Sequence, residues 1–191
     1  DLHRLIRRQR QMCIRDRSWD LTFGGEESEQ TSFVVGQVWG VYSGKFYLLD
    51  QVRGRLSFTR QIEAIEQMAR KWPRTSAILV EDSTDARAVR DTLRRRLPQV
   101  RLIRPVGSKE ARALDCTPIL ESGNVVIPDP ALYSWVKDWI TEVCAFPSSP
   151  YDDQLDASSQ ALRWLTSWLN TGKVQIDLGV NDEFVNESWR I

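Results

Sequence analysis

The stretch "SSPYDDQLDASSQALRWL", residues 148–165, places Asp152, Asp153 and Asp156 within five positions where an amphipathic helix begins. One carboxylate at a helix start is ordinary, because it caps free backbone N–H groups and sits at the positive end of the helix dipole. A cap does not need three. Like charges three and four residues apart repel by about 0.2–0.5 kcal/mol per pair on a solvated helix, which brings a counter-cation into consideration. Oxygen-only ligands select a hard ion, Mg²⁺ or Mn²⁺. Two such ions about 4 Å apart activate a water and stabilise the leaving oxygen of a phosphodiester.

Other chemistries lack their central group. The single histidine, His3, lies in the first seventeen residues, so His-based triads and His-ligated zinc hydrolysis are excluded from the rest of the chain. There is no GxxxxGK or GxGxxG phosphate-binding stretch. Cys13, Cys116 and Cys144 are odd in number and far apart, which suggests neither a disulfide framework nor a zinc site. Catalysis would have to rest on carboxylates.

The chain has 191 residues, which suits one domain with a substantial core. No apolar run approaches the ~18 residues of a membrane span, and no signal-peptide pattern opens the sequence, so a cytosolic protein is the expectation. The leader "DLHRLIRRQRQMCIRDR" carries a net charge of +4 and leaves −4 for the remainder. It reads as a basic linker or as translated sequencing-adapter read-through. Residues 1–17 are therefore set apart from a domain over 18–170 and a patternless tail over 171–191.

The acids must be positioned by a fold. "SWDLTF" (18–23) reads as a strand, and "FVVGQVWGVYSGKFYLLDQVRG" as a hairpin around Ser43-Gly44, together an antiparallel meander. Ile62, Ile65, Met68 and Ala69 define a helix over 58–72 that Pro73 ends. "SAILVED" is apolar enough to be a strand covered on both faces. A helix over 84–96, a strand "VRLIRPV", a helix closed by Gly123, a brief strand "NVVIP", a helix over 130–145 and the aspartate helix follow. This order describes an α/β domain with a mixed sheet flanked by helices. In such sheets, sites form where neighbouring strand ends leave a crevice. Asp20 lies on the first strand and Glu81 ends the buried one. Side chains alternate along a strand, so Glu81 and Asp82 face opposite sides, and Asp82 reads as solvated or as a cap for the next helix. If the aspartate helix starts near Tyr151, Asp152 shares the packing face of Leu155, Ser159 and Leu162; Asp153 projects about 100° away but can reach around the helix end.

At this point the pattern resembles a known family. "SWDLTF", "VVGQVWGVYSGKFYLLDQVRG", "ILVEDSTDARAV", "GSKEARA", "LESGNVVIP" and "YDDQLDASSQAL" occur in an order similar to the C-terminal nuclease domain of the large terminase subunit of tailed bacteriophages, over about residues 18–168. The resemblance implies a ribonuclease H-like fold and two-metal endonucleolytic cutting of concatemeric viral double-stranded DNA in the host cytoplasm. By implication the metal ligands are Asp20, Glu81, Asp152 and Asp153, with Asp156 as a secondary candidate. It also implies an ATPase domain, a small terminase subunit and a portal protein as partners. Two departures stand out. Relatives carry a further acid before the second strand, where this chain offers only Glu29, and they often read EDK where it reads "EDS", with Ser83 in place of a lysine.

In "GSKEARA", Lys109 and Arg112 read as phosphate contacts or as a solvated helix start. "LRRRLP" (93–98) reads as an exposed helix face, and the eight tryptophans as packing residues. A body near −4 has little affinity for DNA by itself, which suits a tethered nuclease. Two other classes share these features. A Holliday-junction resolvase or transposase would use the same acids on a different DNA shape, and a non-catalytic interaction domain would keep the fold without binding metal.

Overall fold

The computed structural model describes residues 14–22 and 32–170; the readings made for His3, Cys13, Glu29 and the 171–191 tail lie outside them. The hairpin forms as expected. β2 (Val34–Tyr42) and β3 (Lys45–Gly54) pair antiparallel, and Ser43 and Gly44 take positive φ values of 50° and 76°, the primed turn that matches strand twist. β1 (Ile14–Asp20) lies antiparallel on the other side of β2. β4 (Ile78–Glu81) runs parallel to β1, β5 (Val100–Ile103) parallel to β4, and β6 (Val125–Val126) parallel to β3. Among the described residues the sheet therefore has the order β5-β4-β1-β2-β3-β6, the mixed sheet of antiparallel meander and parallel strands read from the sequence.

β1 begins four residues before the strand expected from residue 18. Ile14–Arg17 belong to β1 and pair with Val38–Val41 of β2. Their charges obscure the strand because Asp16 and Arg17 are buried with partners: Asp16 accepts from the Ala77 N–H (2.7 Å) and Trp164 Nε1 (2.7 Å), and Arg17 donates to the Trp72 carbonyl. Buried charge with hydrogen-bond partners is tolerated where unpaired charge is not.

Five helices flank the sheet among the described residues: α1 (Phe58–Lys71), α2 (Thr84–Leu93), α3 (Lys109–Glu121), α4 (Trp135–Ala145) and α5 (Asp153–Asn170). α2 is shorter than the expected 84–96. α4 begins five residues later than expected, because the Asp129 carboxylate and carbonyl accept from the N–H groups of Ala131, Leu132 and Tyr133 and close a turn there.

Strand alternation sorts the side chains into two cores. Trp19, Val34, Val38, Ile78 and Val80 pack with Ile65 and Met68 of α1 and with Ala86, Val89 and Leu93 of α2. On the other face Trp39, Val41, Phe46 and Leu48 pack with Cys116 of α3, Val136 and Trp139 of α4, and Leu162 and Leu165 of α5. Trp19 lies across Gly36, where a Cβ would stand 2.5 Å from the indole, so glycine is required there. Because Trp19 and Val80 point to the α1/α2 face and are paired in register, Asp20 and Glu81, one residue further on, emerge side by side on the α3/α5 face.

Candidate metal centre

The site lies at the carboxyl ends of β1 and β4, beneath the start of α5. Helix α5 follows β1 along the sheet. Trp164 Nε1 donates to Asp16, Gln160 Nε2 donates to Ser18 Oγ (2.8 Å), and one turn earlier Asp156 comes opposite Asp20. Residues spaced by four on a helix rise about 6 Å, close to the spacing of alternate residues on a strand, so the two rows stay in step.

Asp153 begins α5 and is only 3% exposed; its Oδ2 accepts from the Phe33 N–H (3.0 Å), just before β2. The Asp152 side chain is 34% exposed and precedes the helix, its carbonyl accepting the Asp156 N–H (2.8 Å). Helical periodicity therefore does not govern the direction of Asp152, and of the two neighbouring aspartates it is Asp153 that is buried. Two cations of α3 hold the other acids. Lys109 Nζ bridges Asp152 (2.9 Å) and Asp156 (2.8 Å), while the buried Arg112 reaches Asp156 (3.1 Å) and Glu81 (3.5 Å).

Electrostatic repulsion is concentrated on Asp20. Burial raises its carboxyl well above the usual carboxylate range; Asp156, Asp153 and Glu81 push it further, and Lys109 opposes them. Burial also raises Asp153, against the Phe33 N–H, with Glu142 and Asp152 adding repulsion. Burial lowers the Lys109 ammonium, but hydrogen bonds to Asp156 and Asp152 outweigh it and hold the group above the ordinary lysine value. Asp82 turns away: Arg87 (2.8 Å) keeps its carboxyl low. Asp82 does not cap the next helix, one of the two roles read for it; Ser83 Oγ accepts the Ala86 N–H instead.

Asp20, Glu81 and Asp153, with Asp156, thus face one electrostatic focus, and Asp152 is tied to it through Lys109. Among the described residues no three such side chains, as placed, stand close enough together to hold an ion. The donor set nevertheless fits a hard divalent cation: every donor is a carboxylate oxygen, and several push the same central carboxyl toward its neutral form. Divalent charge would relieve that repulsion, and β1, β4 and α5 already bring the donors to one crevice.

Sequence reasoning passed over Glu142. It is 5% exposed on α4, and its Oε1 accepts the N–H groups of Gln154 (2.6 Å) and Leu155 (3.3 Å) at the start of α5. A glutamate three residues after Trp139 and six after Val136, on the apolar face of an amphipathic helix, was the available signal.

Comparison with known proteins agrees with this fold. Residues 17–164 match the profile of a family described as the terminase RNaseH-like domain. The large terminase nuclease of the thermophilic phage G20c, solved with bound zinc, superimposes with a TM-score of 0.59 at 17% identity, covering 78% of this chain and 80% of that one. The nuclease domain of the bacteriophage SPP1 large terminase, solved with bound Mn, gives 0.51 at 12% identity over 82% and 89%. A large terminase from another thermophilic bacteriophage gives 0.63 at 13% identity over 81% of this chain but 40% of its own length, so the present chain spans less than half of that protein. No curated protein matches.

Proposed function

The chain belongs to the terminase RNaseH-like domain family, and from that premise we propose that it is a metal-dependent endonuclease domain cutting concatemeric viral DNA during genome packaging in the host cytoplasm. The observation that carries the reading is the state of Asp20: a carboxyl at the end of β1, raised by burial and by three acids brought from β4 and α5. A structural carboxylate would be surrounded by donors. This one is surrounded by acids, as a cation-binding carboxylate is.

Asp20, Glu81, Asp153 and Asp156 would hold Mg²⁺ or Mn²⁺, with Asp152 at the rim; two ions there would supply an activated water and neutralise charge on the scissile phosphate. The chain's own residues divide the remaining work. Phe33 N–H fixes the orientation of Asp153. Arg112, buried, stays with Asp156 and Glu81 and keeps these two acids from spreading. Lys109 is half exposed and is the cation better able to turn toward a backbone phosphate. Among the described residues no helix is long and apolar enough to cross a membrane. The ATPase domain, small subunit and portal would deliver and hold the duplex, which agrees with a crevice whose carboxylates outnumber its two cations, Lys109 and Arg112.

Plasmid cleavage with Mn²⁺, with and without chelator, tests the reading. Chelator-sensitive conversion of supercoiled plasmid to linear product is expected. Cleavage that persists in chelator, or none at any divalent concentration, would overturn it, and preferential cutting of branched over linear duplex would favour a resolvase.

A further inference from the structure

Helix α5 opens with three aspartates, yet none of their side chains caps it. Among the contacts at its first turn, Asp153 Oδ2 turns from the helix end to the Phe33 N–H, and Asp152 and Asp156 turn to Lys109. The free N–H groups of Gln154 and Leu155 are taken by a carboxylate from another helix, Glu142 of α4. Its second oxygen accepts from Gln154 Nε2 (2.6 Å) and lies 3.3 Å from Arg53 Nη2 on β3.

Both ends of this connection are anchored. Gln51 Nε2 donates to Gln154 Oε1 (2.8 Å), and Gln37 Nε2 donates to the Gln154 carbonyl (3.1 Å), which ties the same turn to β2 and β3. The Arg53 guanidinium stacks 4.0 Å from the centre of the Phe33 ring, whose backbone N–H holds Asp153. Glu142 therefore meets the aspartate turn by two routes: through backbone N–H groups on one side, and through Arg53 and Phe33 on the other.

We propose that Glu142 is a positioning residue of the metal centre: by capping α5 in place of the aspartates it leaves their carboxylates for divalent cation, and with Arg53 it sets the orientation of Asp153. The proposal rests on the metal-dependent reading above. Glu142 is buried behind the turn and touches neither ion nor DNA. An amide in its place keeps one acceptor oxygen, so either the Gln154 and Leu155 N–H groups or Gln154 Nε2 and Arg53 Nη2 meet an NH₂ group and lose their acceptor even where the shape is kept. Residues that orient metal ligands commonly change metal affinity by about 10–100-fold when replaced.

The test is calorimetric titration of Mn²⁺ into the full chain and its variants, with single-turnover cleavage at saturating DNA alongside. Glu142→Gln is expected to bind Mn²⁺ about tenfold more weakly and to cleave more slowly, with the DNA concentration at half-maximal rate unchanged. Leu165→Ala, in the core of the same helix, should lower the melting temperature and leave Mn²⁺ affinity as it was. Equal affinity in Glu142→Gln and the parent chain, or an equal loss in Leu165→Ala, would reduce Glu142 to a structural cap and overturn the proposal. If Glu142→Gln does not melt cooperatively, Arg53→Gln decides instead: weaker Mn²⁺ binding supports the proposal and unchanged binding overturns it. Absence of Mn²⁺ binding by the parent chain would instead remove the metal-dependent reading itself.

Discussion

Strand β1 carries two aspartates on the same face, Asp16 and Asp20, and α5 lies along both. Their surroundings are opposite in kind. Asp16 meets two donors, the Ala77 N–H and Trp164 Nε1, and although burial raises its carboxyl, these hydrogen bonds oppose the rise. Asp20, two pleats away, is raised further by burial and meets Asp156, Asp153 and Glu81. The same helix supplies tryptophan at one end and aspartate at the other, at 164 and 156, in step with the strand. One carboxylate is built into the fold by its donors, while the other faces acids whose repulsion the proposed cation would relieve.

The comparison is tested most severely by making the same substitution at both positions. Asp20→Asn should lower cleavage by at least about a hundredfold, measured as single-turnover cutting of linear duplex, because it removes an anionic ligand. In the absence of metal it should melt at a higher temperature than the parent chain, since the amide relieves repulsion. A folded Asp20→Asn variant with full activity would remove the metal centre. Next in size, Asp153→Asn should cost about a hundredfold in the same assay and Asp152→Asn no more than about tenfold, because Asp153 is buried against the site and Asp152 lies at its rim. The reverse order would place the ligand at 152.

Asp16→Asn should act in the other direction on stability. An amide has one acceptor oxygen, so either the Ala77 N–H or Trp164 Nε1 loses its partner, at a cost of about 1–3 kcal/mol in denaturant melts. The variant should retain cleavage wherever it stays folded.

A pH series sharpens the same contrast. Asp20 and Asp153 have folded pKa values above their unfolded ones, so the folded state binds their protons more tightly. Their ionisation then costs stability as pH rises from the ordinary carboxylate range through the raised values. Metal-free melting temperatures should fall over that interval, less so in Asp20→Asn, and millimolar Mn²⁺ should offset the fall by mass action. A flat profile with and without Mn²⁺ would contradict the proposed repulsion. The smallest effect is expected midway along the row, where Gln160→Ala removes one hydrogen bond to Ser18, about 0.5–1.5 kcal/mol, with cleavage nearly unchanged.

Much of this architecture is legible in local chemistry. The Ser43-Gly44 turn, the apolar run ending at Glu81, and Gly123, which follows α3 with a φ of 68°, each leave a signal that depends only on near neighbours. The opposite facing of Glu81 and Asp82 follows from the two-residue period of a strand, and Arg112 and Arg87 occupy the two sides accordingly. β1 begins inside the stretch that the sequence sets apart as a basic leader, and the partners of Asp16 and Arg17 there, Ala77, Trp72 and Trp164, lie some 55 to 148 residues away in sequence.

The sequence by itself determined that carboxylates are the available catalytic groups, which strands carry Asp20 and Glu81, and that a helix opens with three acids. Hydrophobic periodicity and backbone geometry act over a few residues and can be read along the chain. Which aspartate of the helix turns inward was decided by tertiary structure alone. It depends on where α5 starts, and that is set by Glu142 reaching the first turn from α4, Phe33 holding Asp153 from the edge of β2, and Lys109 drawing Asp152 outward from α3. The contacts from Lys109 and Phe33 span 43 and 120 residues and that from Glu142 joins consecutive helices across a 12-residue separation, so none is carried by the helix's own phase, which is weakly defined at its boundary.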